Sequence, residues 1–286
     1  MTRRKSIFIT GAASGIGRHT ALLFASRGWF VGLADIDTEG LDRLEREIGA
    51  DKCRTPWLDV TDAKRYRAVI EMFTSSTGGR LDVLFNNAGI LRMGRNEDIP
   101  LMQQYLTLDI NVKGVLNGIH CALPALRTTP DAHILTMCST SAIYGMPELA
   151  VYSASKHAVH ALTEALDLEL ERDGITVSDI MAPYVNTPMV TAASTQACSV
   201  RSTGVNVQPE QVAEVVWKAA HGRKRHWKIH YLTHVLVAVF ALLPPLRRPI
   251  IKALCIHTSS VRPNSLQRRL YQPKPHLHAI AIFVCC

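Results

Sequence analysis

The sequence predicts an α/β fold, a doubly wound parallel sheet in a single domain with a C-terminal apolar and basic extension. Two observations carry this expectation. Short apolar runs alternate with longer amphipathic ones through the first two thirds of the chain, the pattern of strands and helices in a parallel sheet covered on both faces. Polar turn residues follow four of the apolar runs, at Gly11, Asp35, Asp59 and Asn86, which sets all four on the carboxyl rim of that sheet, where such folds bind ligands. A chain of 286 residues at 47% hydrophobic composition is long enough to bury one large core. The expected division is a sheet domain over residues 1–228 and the extension over residues 229–286.

Taken in order, Ser6 to Thr10 reads as a short buried strand, followed by Gly11-Ala12-Ala13-Ser14-Gly15-Ile16-Gly17 and a helical run from Arg18 to Arg27. Strand, glycine turn and helix together suit a pyrophosphate: the glycines allow a tight turn and close backbone approach, and the helix N-terminus points free amides at the phosphates. Alone, such a turn is also an ordinary strand-to-helix connection. Phe30 to Ala34 is the next strand and ends in Asp35, 18 residues past Gly17. A carboxylate there accepts hydrogen bonds from the ribose hydroxyls of an adenosine and repels a 2′-phosphate, which favours NAD over NADP. Asp37 is the second candidate for that contact, or else it begins the helix Thr38 to Ile48.

The alternation continues with a strand from Cys53 to Leu58 ending in Asp59-Val60, a helix from Ala63 to Ser75, and a strand from Leu81 to Phe85 ending in Asn86-Asn87-Ala88-Gly89. Asn111 falls within a long helical stretch, and His133 to Cys138 is a strand closed by Ser139. Ala150 to Leu170 runs without Gly or Pro, so Tyr152 and Lys156 stack on one face of a helix. A phenol, with a reference pKa of about 10, is a poor base near neutrality, but a fixed ammonium beside it favours the phenolate and makes an acid/base pair. By itself the spacing also describes many solvated surface pairs. A strand from Thr176 to Met181, a Ser/Thr/Ala/Gly-rich stretch from Met189 to Val207, a helix from Gln208 to His221 and a last strand from His226 to Leu232 complete the order.

Thr10-Gly11-x-x-x-Gly15-x-Gly17, Asn86-Asn87-Ala88-Gly89, Asn111, Ser139 and Tyr152-x-x-x-Lys156 resemble, in order and spacing, the short-chain dehydrogenase/reductase family over roughly residues 5 to 190. The resemblance implies a Rossmann-like fold, an NAD(P)-dependent alcohol dehydrogenase or ketone reductase, and a homodimer or homotetramer. It implies a catalytic set of Asn111, Ser139, Tyr152 and Lys156. Tyr152 exchanges a proton with the substrate oxygen, Ser139 orients that oxygen, Lys156 lowers the tyrosine pKa and bonds the nicotinamide ribose, and Asn111 holds a water that links the lysine to solvent. It implies cofactor contacts at Gly11, Ser14, Gly15, Ile16, Gly17, Asp35, Asp59, Val60, Asn87, Ala88, Gly89, Tyr152, Lys156, Pro183, Val185 and Thr187, the last meeting the carboxamide. Residues 184–207 resemble the family's substrate-covering loop. Where the family usually has Pro-Gly this chain has Pro183-Tyr184, which sets a bulky phenol near the expected nicotinamide. The chemistry requires no metal, no Cys or His spacing suggests one, and the 12 histidines read as mostly surface or tail residues without a catalytic role.

Charge separates the tail from the rest. No Asp or Glu follows Glu214, and the 11 basic residues from Arg223 onward, including Arg262, Arg268, Arg269 and Lys274, leave 21 basic against 24 acidic before them, a net −3. Basic charge without interleaved aromatics argues against nucleic acid and suits a membrane surface or an oligomer contact. Eighteen uncharged residues separate Lys228 from Arg247, short for a membrane span and broken by Pro244-Pro245, so an interfacial anchor or a packing helix is expected. The seven cysteines, Cys285 and Cys286 among them, are scattered and no secretory signal is visible, so a cytoplasmic protein is the expectation, with membrane association through the tail as its variant. The functional expectation is a NAD(H)-dependent enzyme interconverting a secondary alcohol and a ketone, with a lipophilic substrate suggested by the apolar tail. The alternative is a dinucleotide-binding regulator or scaffold without turnover.

Overall fold

The computed structural model describes residues 4–193 and 195–256. Strand β1 (Ser6–Thr10) leads into helix α1 (Gly15–Ser26), then β2 (Phe30–Ala34), α2 (Thr38–Ile48), β3 (Cys53–Arg54), α3 (Ala63–Ser75) and β4 (Val83–Asn86). The second half continues with α4 (Leu101–Leu108), α5 (Gly114–Arg127), β5 (His133–Ser139), α6 (Ala150–Glu169), β6 (Thr176–Ala182), the short helices α7 (Pro188–Thr191) and α8 (Cys198–Thr203), α9 (Pro209–Ala219) and β7 (His226–Lys228). Two further helices close the described chain, α10 (Tyr231–Leu242) and α11 (Arg247–Ile256). The strands form one parallel sheet in the order β3-β2-β1-β4-β5-β6-β7. The strand order reverses between β1 and β4, and that is where a crevice opens at the carboxyl ends.

The strands are apolar on both sides because both sides are covered. Ile7 and Ile9 of β1 pack with Phe24 of α1, Leu44 of α2 and Val216 of α9, whereas Phe8 between them packs on the other face with Tyr66 and Phe73 of α3 and Ile119 of α5. Helices on both faces are the doubly wound arrangement the sequence predicts.

Several elements differ from expectation, each for a physical reason. The strand expected from Cys53 to Leu58 stops at Arg54, because Pro56 has no N–H to give a ladder, and only an isolated bridge from Asp35 to Trp57 carries the pairing onward. Helix α1 starts at Gly15, so the end of the glycine turn is already helical. Asn111 lies in a π-helical turn, Asp109–Lys113, wedged between α4 and α5. The stretch from Met189 to Val207 holds the rest of α7 and all of α8, and is tied to the strand end by a bridge between Val185 and Val207. The last strand ends at Lys228, and its expected continuation turns into α10. Among the described residues four histidines are not fully exposed: His133 is buried, and His19, His160 and His226 are half-buried, the last two at the edge of the sheet.

Beyond β7 the chain folds back on the sheet domain. Tyr144 meets Phe240 of α10 edge-on with ring centroids 6.0 Å apart, and a disulfide joins Cys198 of α8 to Cys255 of α11. Among the described residues no single helix is long and apolar enough to cross a membrane, and Thr233–Leu242 and Pro244–Ala253 bend by 118° at the proline pair. Leu242, Leu243 and Leu246 are exposed beside Arg247 and Arg248. The basic residues from Arg262 to Lys274, together with Cys285 and Cys286, lie outside the described residues.

Candidate active site

The ends of β1, β2 and β4 are stapled together by backbone amides and one side-chain amide. Asn87 Nδ2 donates to the oxygens of Thr10 at 2.9 Å and Gly11 at 3.1 Å, while the amides of Asn87 and Ala88 both donate to Thr10 Oγ1 at 3.1 Å. Gly11 sits at φ +66°, and a Cβ there would lie 2.9 Å from the Ala88 Cα, so the glycine turn and the Asn-Asn-Ala-Gly turn touch backbone to backbone. Asp35 Oδ2 accepts from the Ala13 amide at 2.9 Å, and its Oδ1 accepts from Ile36 and Asp37 at 2.7 and 3.0 Å. Burial raises the Asp35 pKa, against the lowering effect of those three amides. Asp37 takes the second of its two readings: it caps α2, accepting from the Gly40 amide at 3.0 Å.

Two hollows open on this rim. Gly11, Asp35, Asp59, Val60 and Ala88 line the first, with Leu58 and Ile110. Ile16, Ser139, Tyr152, Pro183, Val185 and Thr187 line the second, with Tyr184. The remaining candidates line neither. Ser14, Gly15 and Gly17 form the turn and the start of α1, Asn87 and Gly89 belong to the turn after β4, and Asn111 and Lys156 lie beneath the surface.

Tyr152 and Lys156 stack on α6 as the spacing predicts, with Lys156 Nζ 5.6 Å from the Tyr152 ring centroid. Lys156 is buried, and its ammonium donates to the Met137 oxygen at 2.9 Å, which aims the side chain across β5 toward the second hollow. Ser139 Oγ accepts from the Ser141 amide at 3.1 Å, so its own proton is directed elsewhere. Asn111 clamps Ile90, accepting from its amide at 2.8 Å and donating to its oxygen at 2.9 Å, and also donates to Ser155 Oγ at 3.2 Å. Its side-chain amide is thereby engaged by protein at both ends, and the π-helical turn is what brings it there. Ser155, inside the Tyr-Ser-Ala-Ser-Lys stretch, completes this by donating to the backbone carbonyl oxygen of Tyr152 at 2.7 Å. Thr187 opens α7 and its hydroxyl reaches back to the Val185 oxygen at 3.4 Å.

The phenol at Tyr184 leans away toward the substrate-loop segment, with its hydroxyl 2.5 Å from Ser199 Oγ of α8. Burial raises its pKa, which the hydroxyl contact opposes. Tyr184 borders both the second hollow and a third, apolar cavity of about 190 Å³ lined by Ile143, Tyr144, Met146, Phe240 and Ile251. Sequence reasoning gave Tyr184 no such dividing position, and no spacing signals it. Nor does any motif mark Glu148, whose carboxylate accepts from the Cys198 amide at 2.6 Å and so anchors the start of α8.

The family model of the short chain dehydrogenases matches residues 5–197. A cyclohexanol dehydrogenase of Acinetobacter sp. (strain SE19) is 32% identical over 216 residues, covering 74% of this chain and 86% of that protein. A 3-oxoacyl-[acyl-carrier-protein] reductase of Thermotoga maritima is 34% identical over 218 residues, 74% of this chain and 88% of the relative. Among solved structures, a short chain dehydrogenase/reductase from Burkholderia phymatum in complex with NAD superposes with a TM-score of 0.77 at 26% identity, over 86% of this chain and 96% of that one. The 3-ketoacyl-(acyl-carrier-protein) reductase from Brucella melitensis complexed with NADH gives a TM-score of 0.71 at 29% identity, over 78% and 96%. The parallel sheet, the stapled glycine rim and the match over residues 5–197 together make this chain a member of the short-chain dehydrogenase/reductase family of oxidoreductases.

Proposed function

We propose that this chain is a NAD(H)-dependent oxidoreductase that interconverts an apolar secondary alcohol and its ketone. The observation that carries the reading is the second hollow: Tyr152 and Ser139 face it together, with the Lys156 ammonium buried directly behind the phenol. The rim fits a dinucleotide. A Cβ at Gly11 would fill the cradle between the two turns, and α1 begins at Gly15, at the end of the glycine turn, so a helix N-terminus of the kind that suits phosphate stands at the rim. Gly11, Gly15 and Gly17 would hold the pyrophosphate side, Asp35 the adenosine ribose, and Ile16, Val185 and Thr187 the nicotinamide end. A nicotinamide held there would supply the hydride acceptor for alcohol oxidation and the hydride donor for ketone reduction.

The residues of the chain handle the proton. Tyr152 takes the hydroxyl proton as the phenolate in oxidation and gives a proton as the phenol in reduction, and the Lys156 ammonium supplies the opposite charge for the phenolate that starts the first and ends the second. Ser139 Oγ, one of whose two lone pairs is taken by the Ser141 amide, donates its proton to the substrate oxygen and holds it against the phenol. Asn111 is a positioning residue: it fixes Ile90 and Ser155, and through Ser155 the Tyr152 turn of α6. The preference for NAD rests on the Asp35 carboxylate at the first hollow, where a 2′-phosphate would meet like charge. The apolar substrate rests on the cavity beyond Tyr184, and the similarity to a cyclohexanol dehydrogenase supports a cyclic alcohol as the first compound to try.

The test is turnover of cyclohexanol and larger cyclic alcohols with NAD and with NADP, followed by absorbance of the reduced nicotinamide, beside fluorescence titration with NADH and NADPH. Tyr152→Phe is expected to abolish turnover and keep NADH affinity. Turnover surviving in Tyr152→Phe, or tighter binding of NADPH than NADH, would overturn the mechanism or the cofactor assignment respectively.

A further inference from the structure

The face of α6 that carries Tyr152 and Lys156 continues at four-residue steps to His160 and Glu164. Asp179 of β6 lies opposite His226 of β7 in the sheet register, and its side chain has no exposed surface. Its two oxygens each meet a ring: Oδ2 is 2.7 Å from His160 Nδ1 and Oδ1 is 3.0 Å from His226 Nδ1. A neutral imidazole has a single N–H, so a ring that donates from Nδ1 presents a lone pair at Nε2. Both Nε2 atoms face the same oxygen of Glu164, at 4.0 Å from His160 and 3.8 Å from His226. One donor atom from each of the three residues lies within 4.8 Å of the others.

We infer that His160, Glu164 and His226 form a binding site for a divalent transition metal ion, zinc foremost, with Asp179 as the carboxylate that orients both histidines. A carboxylate behind each ligating imidazole is the arrangement that fixes tautomer and ring direction at zinc sites, and here a single buried aspartate serves two rings. Ligand atoms about 2.0–2.1 Å from a tetrahedral ion stand roughly 3.4 Å apart, so the two separations to Glu164 need to close by about half an ångström. The Glu164 side chain is half exposed, at 51%, and has the freedom to close them. Two nitrogen donors argue against magnesium and calcium, which take oxygen ligands. The fourth position faces an open hollow bordered by Phe240, Lys228 and Arg247. The charges of Asp179 and Glu164 offset those two cations near the ion.

Such an ion ties α6 to β7, the strand that leads into α10, and so fastens the C-terminal helices to the domain. It stands two turns from Tyr152 along α6, about 12 Å by helix rise, too far to touch the reaction. The competing state is a network of the two rings with the two carboxylates and no bound ion.

The experiment takes the full chain, free of any histidine tag and stripped with a chelator, and titrates it with Co(II), whose visible absorption reports tetrahedral coordination, then with Zn(II) in competition. The expected result is one ion per chain with a tetrahedral band that zinc displaces and magnesium does not, together with a higher Tm. His160→Gln and His226→Gln should each lose the band, and a chain carrying His276→Gln and His278→Gln should keep it. Glu164→Ala, at a half-exposed position where folding is spared, should lower Co(II) affinity by about tenfold or more. A wild-type chain without the band, or a band unchanged in Glu164→Ala or surviving in His160→Gln/His226→Gln, would overturn the site and leave the ion-free network.

Discussion

Gly17→Ala tests how the two rim turns are locked. A Cβ at Gly17 would lie 2.1 Å from the Gly11 oxygen and 2.7 Å from Asn87 Nδ2, against the about 3.5 Å at which non-bonded heavy atoms rest comfortably. The glycine turn must therefore move by more than about 1 Å, and Asn87 loses its bonds to Thr10 and Gly11. Overpacking costs about 1–3 kcal/mol. Leaving a buried amide without partners costs about 1–3 kcal/mol more. Alanine's better helix propensity returns about 1 kcal/mol. The centre of the sum is a loss of around 3 kcal/mol, or a Tm lower by roughly 6–12 °C, accompanied by a loss of NADH affinity because the phosphate cradle is displaced. Gly28→Ala is the control. Gly28, unlike Gly17, has a left-handed backbone, at φ +83°, but nothing lies within 4 Å of its Cβ position, so only the conformational penalty of about 1–2 kcal/mol applies and NADH binding is unchanged. Thermal denaturation and NADH fluorescence titration measure both variants. A Gly17→Ala chain that melts and binds like wild type, or a Gly28→Ala chain that loses NADH as badly as Gly17→Ala, would refute the reasoning.

Lys156→Met keeps the apolar stem of the side chain and removes its charge; turnover at neutral pH should fall by about 10²-fold or more in steady-state assays, with the fold retained by circular dichroism. Tyr184→Gly removes the partition between the second hollow and the apolar cavity, so kcat/KM for bulky cyclic alcohols should rise relative to cyclohexanol, whereas an unchanged ratio would show that the cavity lies off the substrate path. Burial holds the His133 pKa below its ordinary 6.5. The unfolded chain therefore takes up that proton first, and the contribution is fully present above pH 6.5 and is lost as the pH falls through the lower folded value. Urea denaturation between neutral and mildly acidic pH should accordingly show a steeper loss in wild type than in His133→Gln. Reduction of the Cys198–Cys255 bond, which closes a separation of 57 residues, should lower stability by about 4 kcal/mol on chain-entropy grounds, seen as a Tm drop with dithiothreitol that Cys198→Ser already shows without it.

The rim was legible because the parallel sheet dictates it. Each apolar run had to end at the same edge, so Gly11, Asp35, Asp59 and Asn86 fell together once the strands were identified, and the bounds of β1, β2, α2 and α3 match the sequence reading. Tyr152 and Lys156 were legible for the same kind of reason, a helical period with nothing to break it. What escaped depends on partners remote in sequence. Asn111 looked like any helix-interior asparagine because a π-helical turn has no residue signature, and its bonds go to Ile90 and Ser155. His160 and His226 looked like surface residues because the Asp179 between them is brought there only by the register of β6 and β7. The shortening of β3 had a visible cause, Pro56, which the apolar run around it outweighed.

Tyr184 divides the chemistry from the cavity, and the far wall of that cavity is made by Phe240 and Ile251, past the stretch that matches the family. On the proposed function, the residues that handle the proton lie within the matched stretch, whereas the cavity is shared between that stretch, through Ile143, Tyr144 and Met146, and the C-terminal helices. A chimera joining the first two hundred or so residues to another relative's C-terminal helices would then keep the reaction of the first parent while one wall of its cavity came from the second.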